Sequence, residues 1–98
     1  HPLEFAGQQH RRDTVLVGQD DSWTGQVVLI ARGYRPIQIT EFMRKAMVNY
    51  GWEETAIVRS RRTSITYVQG ERFATVRIMG RENGTEMDIV VAPSSAPS

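Results

Sequence analysis

Residues 37–52 read IQITEFMRKAMVNYGW, and this stretch decides the fold class. Its apolar residues recur at intervals of three and four positions, the spacing that aligns side chains along one face of an α-helix. Charged and amide side chains take the other face. The sequence therefore predicts an amphipathic helix whose apolar face packs on another layer. The apolar face comprises Ile39, Phe42, Met43, Ala46, Met47 and Tyr50, and the polar face comprises Glu41, Arg44, Lys45 and Asn49.

Both ends of this helix carry residues with special backbone preferences. Pro36 suits the first turn, because its missing N–H group would have no partner there. Gly51 favours the left-handed conformation that terminates helices, and Trp52 can then fold back on the last turn. We therefore expect a helix over residues 37–49.

Strand patterns follow the helix. The two-residue loop Gly70-Glu71 begins with glycine, which suits a type II′ hairpin turn. This turn sets a register in which Tyr67 lies opposite Ala74, so one face of the hairpin is apolar. The predicted strands cover residues 55–59, residues 64–69, a strand that carries Ala74, Val76 and Ile78 inward, and residues 85–91 after a turn at Asn83-Gly84.

Two further strands are predicted before the helix. Residues 14–18 form a short β-branched segment, and residues 26–32 contain the continuous apolar run of a fully buried strand. A polar turn at residues 19–22 would join them in a loose hairpin. The predicted order is β-β-α-β-β-β-β, an α+β fold with one amphipathic helix on one face of an antiparallel sheet.

The chain length of 98 residues fits a single domain with one core. Residues 1–13 hold few regularly spaced apolar groups, and residues 93–98 have the small, polar, proline-containing composition of a loose tail. We therefore expect a flexible leader over residues 1–13, one α+β domain over residues 14–92 and a flexible tail over residues 93–98.

Composition restricts the function classes. Twelve Lys and Arg residues against eleven Asp and Glu residues leave a net charge of +1, so no overall field attracts nucleic acid or anionic lipid. The absence of cysteine excludes disulfides, a thiol nucleophile and cysteine-ligated metals within this sequence. Any binding to an anionic partner must therefore be local.

Catalytic motifs are missing from the sequence. His1 and His10 fall in the leader, where a positioned general base is not expected. Asp20-Asp21 lacks the pattern of a calcium loop and suits a turn better. No glycine pattern of a phosphate-binding loop occurs, and Ser22, Ser60 and Ser64 lack the context of a nucleophilic serine. We therefore expect a protein that is not an enzyme and binds no cofactor or metal.

Arginine gives the clearest local signal. Arg59, Arg61 and Arg62 cluster at one turn, and an arginine-bearing sheet face with Tyr67 or Phe73 nearby could contact phosphate or stack on bases. Residues 53–92 also hold six acidic side chains, which favour ion pairs on a solvated surface instead. The remaining arginines of this stretch are Arg72, Arg77 and Arg81.

An apolar pair adds a candidate contact surface. If Ala74 and its alternate neighbours face the helix, Phe73 and Val68 fall together on the opposite sheet face. A sheet covered on one side leaves that face available to a partner, and its edges open to strand addition. The predicted partner-binding residues are Val68, Phe73, Arg59, Arg61 and Arg62.

Five short segments carry a resemblance to a known family: GQDDSWTG (residues 18–25), FMRKAM (42–47), GW (51–52), ERFATV (71–76) and GTE (84–86). Together they resemble small uncharacterised lipoproteins of the bacterial cell envelope. The resemblance implies export, a processed and tethered N-terminus, and attachment to the periplasmic side of a membrane through a cysteine that this sequence lacks. The hypothesis is a non-enzymatic envelope module that binds a protein partner and assists a membrane-associated complex; the alternative is an RNA- or DNA-binding domain.

Overall fold

The computed structural model describes residues 23–93, which form one five-stranded antiparallel sheet with one helix packed on it. The predicted α+β class is therefore confirmed. The predicted strand at residues 14–18, the leader at residues 1–13 and residues 94–98 of the tail lie outside the described residues. The elements in chain order are β1 (Gly25–Arg32), α1 (Pro36–Asn49), β2 (Glu53–Arg59), β3 (Thr63–Gln69), β4 (Arg72–Arg81) and β5 (Gly84–Pro93).

The strands lie in the order β1-β5-β4-β3-β2. Strands β2 to β5 form a meander in which each strand pairs with the next one along the chain, and β1 then pairs with β5. Strands β1 and β2 are therefore the two edges of the described sheet, and α1 connects them by crossing one sheet face.

The core lies between α1 and this face. The predicted register is confirmed, because Tyr67 pairs with Ala74 and Ile65 pairs with Val76. Burying each large apolar side chain of this layer stabilises the fold by about 1.5–3 kcal/mol. The buried side chains come from α1 (Ile39, Met43, Met47), β1 (Val27, Leu29, Ala31), β3 (Ile65, Tyr67), β4 (Ala74, Val76, Ile78) and β5 (Met87, Ile89, Val91), together with Trp52.

The helix matches its prediction closely. It begins at Pro36, one residue earlier than expected, and the backbone N–H of Arg35 donates to the Gln38 side chain at 2.8 Å. Gly51 has a φ of 92°, and the N–H of Trp52 donates to the Met47 carbonyl at 2.9 Å, so Trp52 folds back as expected. Tyr50, which was assigned to the apolar face, follows the helix and is exposed.

Two predictions were wrong, one about the burial of β1 and one about the position of the turn before β5. Strand β1 is not fully buried: Val27 and Leu29 face the core, whereas Val28 is 41% exposed. The run of apolar residues hid this alternation, which arises because α1 covers one face of the sheet and no element within residues 23–93 covers the other. The turn before β5 also lies one residue earlier than predicted, at residues 82–83, so that Gly84 begins the strand.

The end of β5 also differs from the prediction. Pro93 was assigned to the tail, but it is the last residue of β5 and pairs with Arg72. A strand end tolerates proline, because the missing N–H group there interrupts no continuing ladder of hydrogen bonds.

Candidate functional site

The sheet face opposite α1 is the candidate contact surface. No element within residues 23–93 packs on this face, which we call the open face. Its side chains are partly or fully exposed, in contrast to the buried side chains that alternate with them. They come from β1 (Gln26, Val28, Ile30, Arg32), β2 (Glu53, Ala56, Val58), β3 (Ser64, Thr66, Val68), β4 (Phe73, Thr75, Arg77, Met79, Arg81) and β5 (Glu86, Asp88, Val90, Ala92).

An apolar patch occupies one end of the open face. Val68 lies directly opposite Phe73, and Phe73 lies opposite Ala92 on its other side. Val90 is the next outward residue of β5, so these four side chains form what we call the apolar patch. The structure therefore brings Val68 and Phe73 together as the sequence indicated. Sequence reasoning missed Val90 and Ala92, although the alternation in the last strand already placed them outward.

Polar contacts border the apolar patch. Gln26 donates to the Asp88 carboxylate at 2.9 Å, and Asp88 lies opposite Arg77 across the β4–β5 pair. Farther along, Arg81 donates to Glu86 at 2.8 Å. The open face thus combines an apolar end with a charged middle, and its charged groups are mostly matched across strands.

The turn between β2 and β3 carries Arg59, Arg61 and Arg62, all of them exposed. Within residues 23–93, no carboxylate forms an ion pair with any of the three. The expected interleaving of ion pairs is therefore wrong for this turn. The five-residue separation between Thr63 and Val68 on β3 corresponds to about 17 Å, so the turn and the apolar patch lie at opposite ends of the sheet.

Arg72 does not belong to an exposed arginine surface. It is only 7% exposed on the helix side of the sheet, and its guanidinium lies 4.7 Å from the centre of the Trp52 ring. It donates to the Trp23 carbonyl at 2.7 Å and to the Gln69 side chain. Gln69 in turn donates to the Tyr50 carbonyl at 2.9 Å. These contacts connect the end of α1 to the β3–β4 hairpin and to the residues that precede β1.

A groove lies between α1 and β2. Arg44 and Glu54 form a two-point ion pair across it at 2.9 and 3.0 Å. Behind it, burial is the main cause that raises the pKa of Tyr67 to about 12, and Glu54 adds to the rise. Tyr67 is therefore protonated at neutral pH and cannot act as a base there. No group of three or more potential metal ligands lies within residues 23–93.

No protein-family model, curated protein or solved structure matches the chain. The resemblance to envelope lipoproteins therefore stays a prediction. The 14-residue α1 has neither the length nor the apolar character required of a membrane span.

Proposed function

We propose that this domain is a non-enzymatic interaction module whose open face binds a protein partner. The observation that carries the proposal is the apolar patch on a sheet face that no described element covers. The proposed location is the periplasmic side of a bacterial envelope, where binding would assist the assembly or stability of a membrane-associated complex. The proposal requires no cofactor.

The dimensions of the open face fit a modest contact. Five strands span roughly 19 Å and eight residues span roughly 26 Å, which gives a projected area of about 500 Å². Stable complexes usually bury about 800 Å² on each partner, so this face suits a weak or transient contact unless the partner extends beyond it. Phe73 is the natural anchor, because aromatic side chains dominate the energetics of such contacts.

The chemistry of the described residues also favours binding over catalysis. Glu54 is held by Arg44, Glu86 is held by Arg81, and the buried Tyr67 keeps its proton. A catalytic pair needs a free base within hydrogen-bonding reach of a nucleophile or of a substrate proton. The carboxylates and the phenol named above are instead occupied or protonated.

A charge placed in the apolar patch tests the proposal. Phe73→Asp should reduce partner capture by at least tenfold, because it places a desolvated carboxylate at the centre of the contact. Ala56→Asp is the matched control, since it adds the same charge to the same face on edge strand β2 and should leave capture unchanged. Capture would be measured by photocrosslinking from a cysteine introduced at Val90, in extracts of the source organism.

Folding of both variants would be followed by circular dichroism and thermal melting. Equal capture by the wild type and Phe73→Asp would show that the apolar patch is not the contact. Loss of the folded signal in Phe73→Asp would instead place Phe73 in the core of the protein, and the proposal would fail on that ground.

The RNA- or DNA-binding alternative rests on the unpaired turn arginines. Arg72 is buried and Arg81 is paired with Glu86, so a nucleic acid on the open face would meet few free arginines. A fluorescence polarisation titration with single- and double-stranded oligonucleotides tests it. Binding that weakens with added salt supports the alternative, and no binding at low salt removes it.

A further inference from the structure

The topology gathers arginines that are far apart in sequence. Three strands, β1, β2 and β4, finish at one end of the sheet. Strands β3 and β5 and helix α1 begin at that same end. Each of these boundaries carries an exposed arginine or adjoins one. We call this region the arginine end, and it comprises Arg32, Arg35, Arg59, Arg61, Arg62 and Arg81.

The strand register shows that these residues share one end. Arg32 and Arg81 both pair with Gly84, so they lie in one row. Arg59 pairs with Thr63, which pairs with Ile78, and the turn at residues 60–62 then continues toward the row of Arg81. The five strands spread this row over roughly 19 Å.

The N-terminus of α1 also lies at the arginine end. Arg35 directly precedes α1, and the ring of Pro36 lies 3.3 Å from the position that a Cβ atom at Gly80 would take. The start of α1 therefore sits over the last residues of β4. Its N-terminal dipole adds positive potential to that of the arginines.

Positive charge is concentrated at one end of the domain. Beside its six arginines, the arginine end holds Glu82 and Glu86, and Arg81 is the arginine paired with Glu86. The opposite end holds Glu53, Glu54 and Glu71 together with Arg44, which pairs with Glu54, and the buried Arg72, so its net charge is close to zero. The net charge of +1 for the whole chain conceals this concentration. A local excess of guanidinium groups suits phosphate, which arginine binds through two parallel hydrogen bonds.

The helix start indicates that this charge is not arranged for stability. Helix N-termini are stabilised by acidic side chains and by Ser, Thr, Asp or Asn caps. Here the cap is Arg35 and the first turn contains no acidic residue. The arrangement raises the energy of the free domain, and a bound anion would lower it.

Exposed apolar side chains lie among the arginines. Ile37 is 49% exposed beside Arg35, and Val58 is 59% exposed beside Arg59. Basic and aliphatic side chains together are typical of surfaces that rest in the headgroup region of a bilayer. We propose that the arginine end binds the surface of an anionic lipid bilayer, with arginines on the lipid phosphates and with Ile37 and Val58 in contact with the headgroup–acyl boundary.

A lipid surface fits this end better than a nucleic acid does. Single-stranded nucleic acids are bound by aromatic side chains on which bases stack, and protein–DNA contacts are more polar than other interfaces. Within residues 23–93, Tyr50 is the exposed aromatic residue among the large hydrophobic ones and lies at the opposite end of the domain, whereas Tyr34, beside Arg35, is partly buried. The exposed aliphatic groups beside the arginines have no role on a phosphate backbone.

Vesicle binding tests this inference directly. The full chain would be mixed with phosphatidylcholine vesicles that contain or lack phosphatidylglycerol, and bound protein would be measured by flotation. We expect binding to the anionic vesicles that weakens with added salt, and at least tenfold weaker binding to the neutral ones. Inorganic phosphate and a DNA duplex would be added as competitors in separate arms.

Charge variants locate the site. Arg61→Gln and Arg62→Gln should each weaken binding about fivefold, since one basic side chain near an anionic surface contributes about 1 kcal/mol. Lys45→Gln is the matched control: it removes the same charge from an exposed helix position away from the arginine end and should change binding less than twofold. Arg35→Asp should weaken binding while it stabilises the fold, so a folding defect cannot explain its loss of binding.

Two valine-to-threonine substitutions distinguish binding to a lipid bilayer from binding to other phosphates. Val58→Thr should weaken vesicle binding about threefold, because it removes apolar contact with the bilayer. Val48→Thr, at a valine of α1 that is 57% exposed, should have no effect. Full competition by inorganic phosphate at constant ionic strength, tighter binding to the duplex, or unchanged binding of Val58→Thr would overturn the proposal. No binding to anionic vesicles at low salt would overturn it as well.

The arginine end and the apolar patch lie at opposite ends of the domain, although Val58, Arg32 and Arg81 share the open face with the patch. Phe73→Asp should leave vesicle binding within twofold of the wild type, and Arg61→Gln should leave partner crosslinking unchanged. Failure of either proposal is therefore distinguishable from failure of the other.

Discussion

Arg72 is buried, although its sequence context suggests a surface residue. An arginine at the start of a strand is ordinarily a surface residue, and the sequence placed it with other surface arginines. The structure buries it because Trp52 offers a ring face and because the Trp23 carbonyl and the Gln69 side chain accept its hydrogen bonds. These partners are distant in sequence or depend on the hairpin, so the sequence alone could not predict the burial.

Substitution of Arg72 should be costly even when the charge is kept. Arg72→Lys should lower the free energy of unfolding by about 2 kcal/mol, since an ammonium group cannot both stack on Trp52 and reach two acceptors. Arg77→Lys on the open face is the control and should cost less than about 0.5 kcal/mol. Urea unfolding measures both, and equal stability of the two variants would contradict the role assigned to Arg72.

Tyr67 carries a buried hydroxyl for which residues 23–93 show no hydrogen-bond partner. Tyr67→Phe should therefore raise the free energy of unfolding by about 1 kcal/mol at neutral pH, because it removes an unsatisfied polar group and keeps the ring. A loss of stability on this change would show that the hydroxyl has a partner.

The same residue gives a pH dependence. Burial raises the pKa of Tyr67 from 10.0 to about 12 in the folded state, so folding favours the protonated phenol. The resulting stabilisation is complete below pH 10 and is lost as the pH rises through 12. Chemical unfolding at several alkaline pH values should show a steeper loss of stability in the wild type than in Tyr67→Phe. Parallel curves would contradict the shift.

At the scale of elements, the sequence correctly predicted the features that depend on a few neighbouring residues. The apolar spacing of α1, the glycine that ends it and the Gly70-Glu71 turn each act within a few residues, and the structure has all three as expected. The exposure of one face of β1 depended instead on how many layers cover the sheet, which is a property of the whole fold. Four apolar residues in a row do not show whether one face of a strand or both faces are covered.

A substitution at Gly84 tests how closely the edge strand β1 packs against its neighbour β5. A Cβ atom at this position would lie 2.4 Å from the Ala31 carbonyl oxygen, which is backbone and cannot move aside easily. Gly84→Ala should therefore cost about 3 kcal/mol of stability. Gly80→Ala is the comparison, since its nearest contact is the ring of Pro36 at 3.3 Å. Thermal melting would separate them, and an equal loss in both would contradict the close approach of β1 and β5.

At the scale of the whole molecule, the distribution of charge was the feature least accessible to sequence. Arg32 and Arg62 are thirty positions apart, and only the antiparallel topology brings them to one end. The pairing of Val68 with Phe73 was accessible because a two-residue turn fixes the register. Their separation from the arginine turn was also implied by the predicted strand over residues 64–69, although the sequence reading grouped them in one contact surface.

The central claim is that the sheet has one covered face and one open face, and thiol labelling tests it most directly. The sequence contains no cysteine, so single-cysteine variants report one position each. Thr75→Cys points to the open face from the middle of β4, and Ala74→Cys points to the core beside it. We expect the cysteine at position 75 of the full chain to react with a maleimide at least tenfold faster than the one at position 74. Equally slow labelling of both would show that the open face is already covered and would contradict the account.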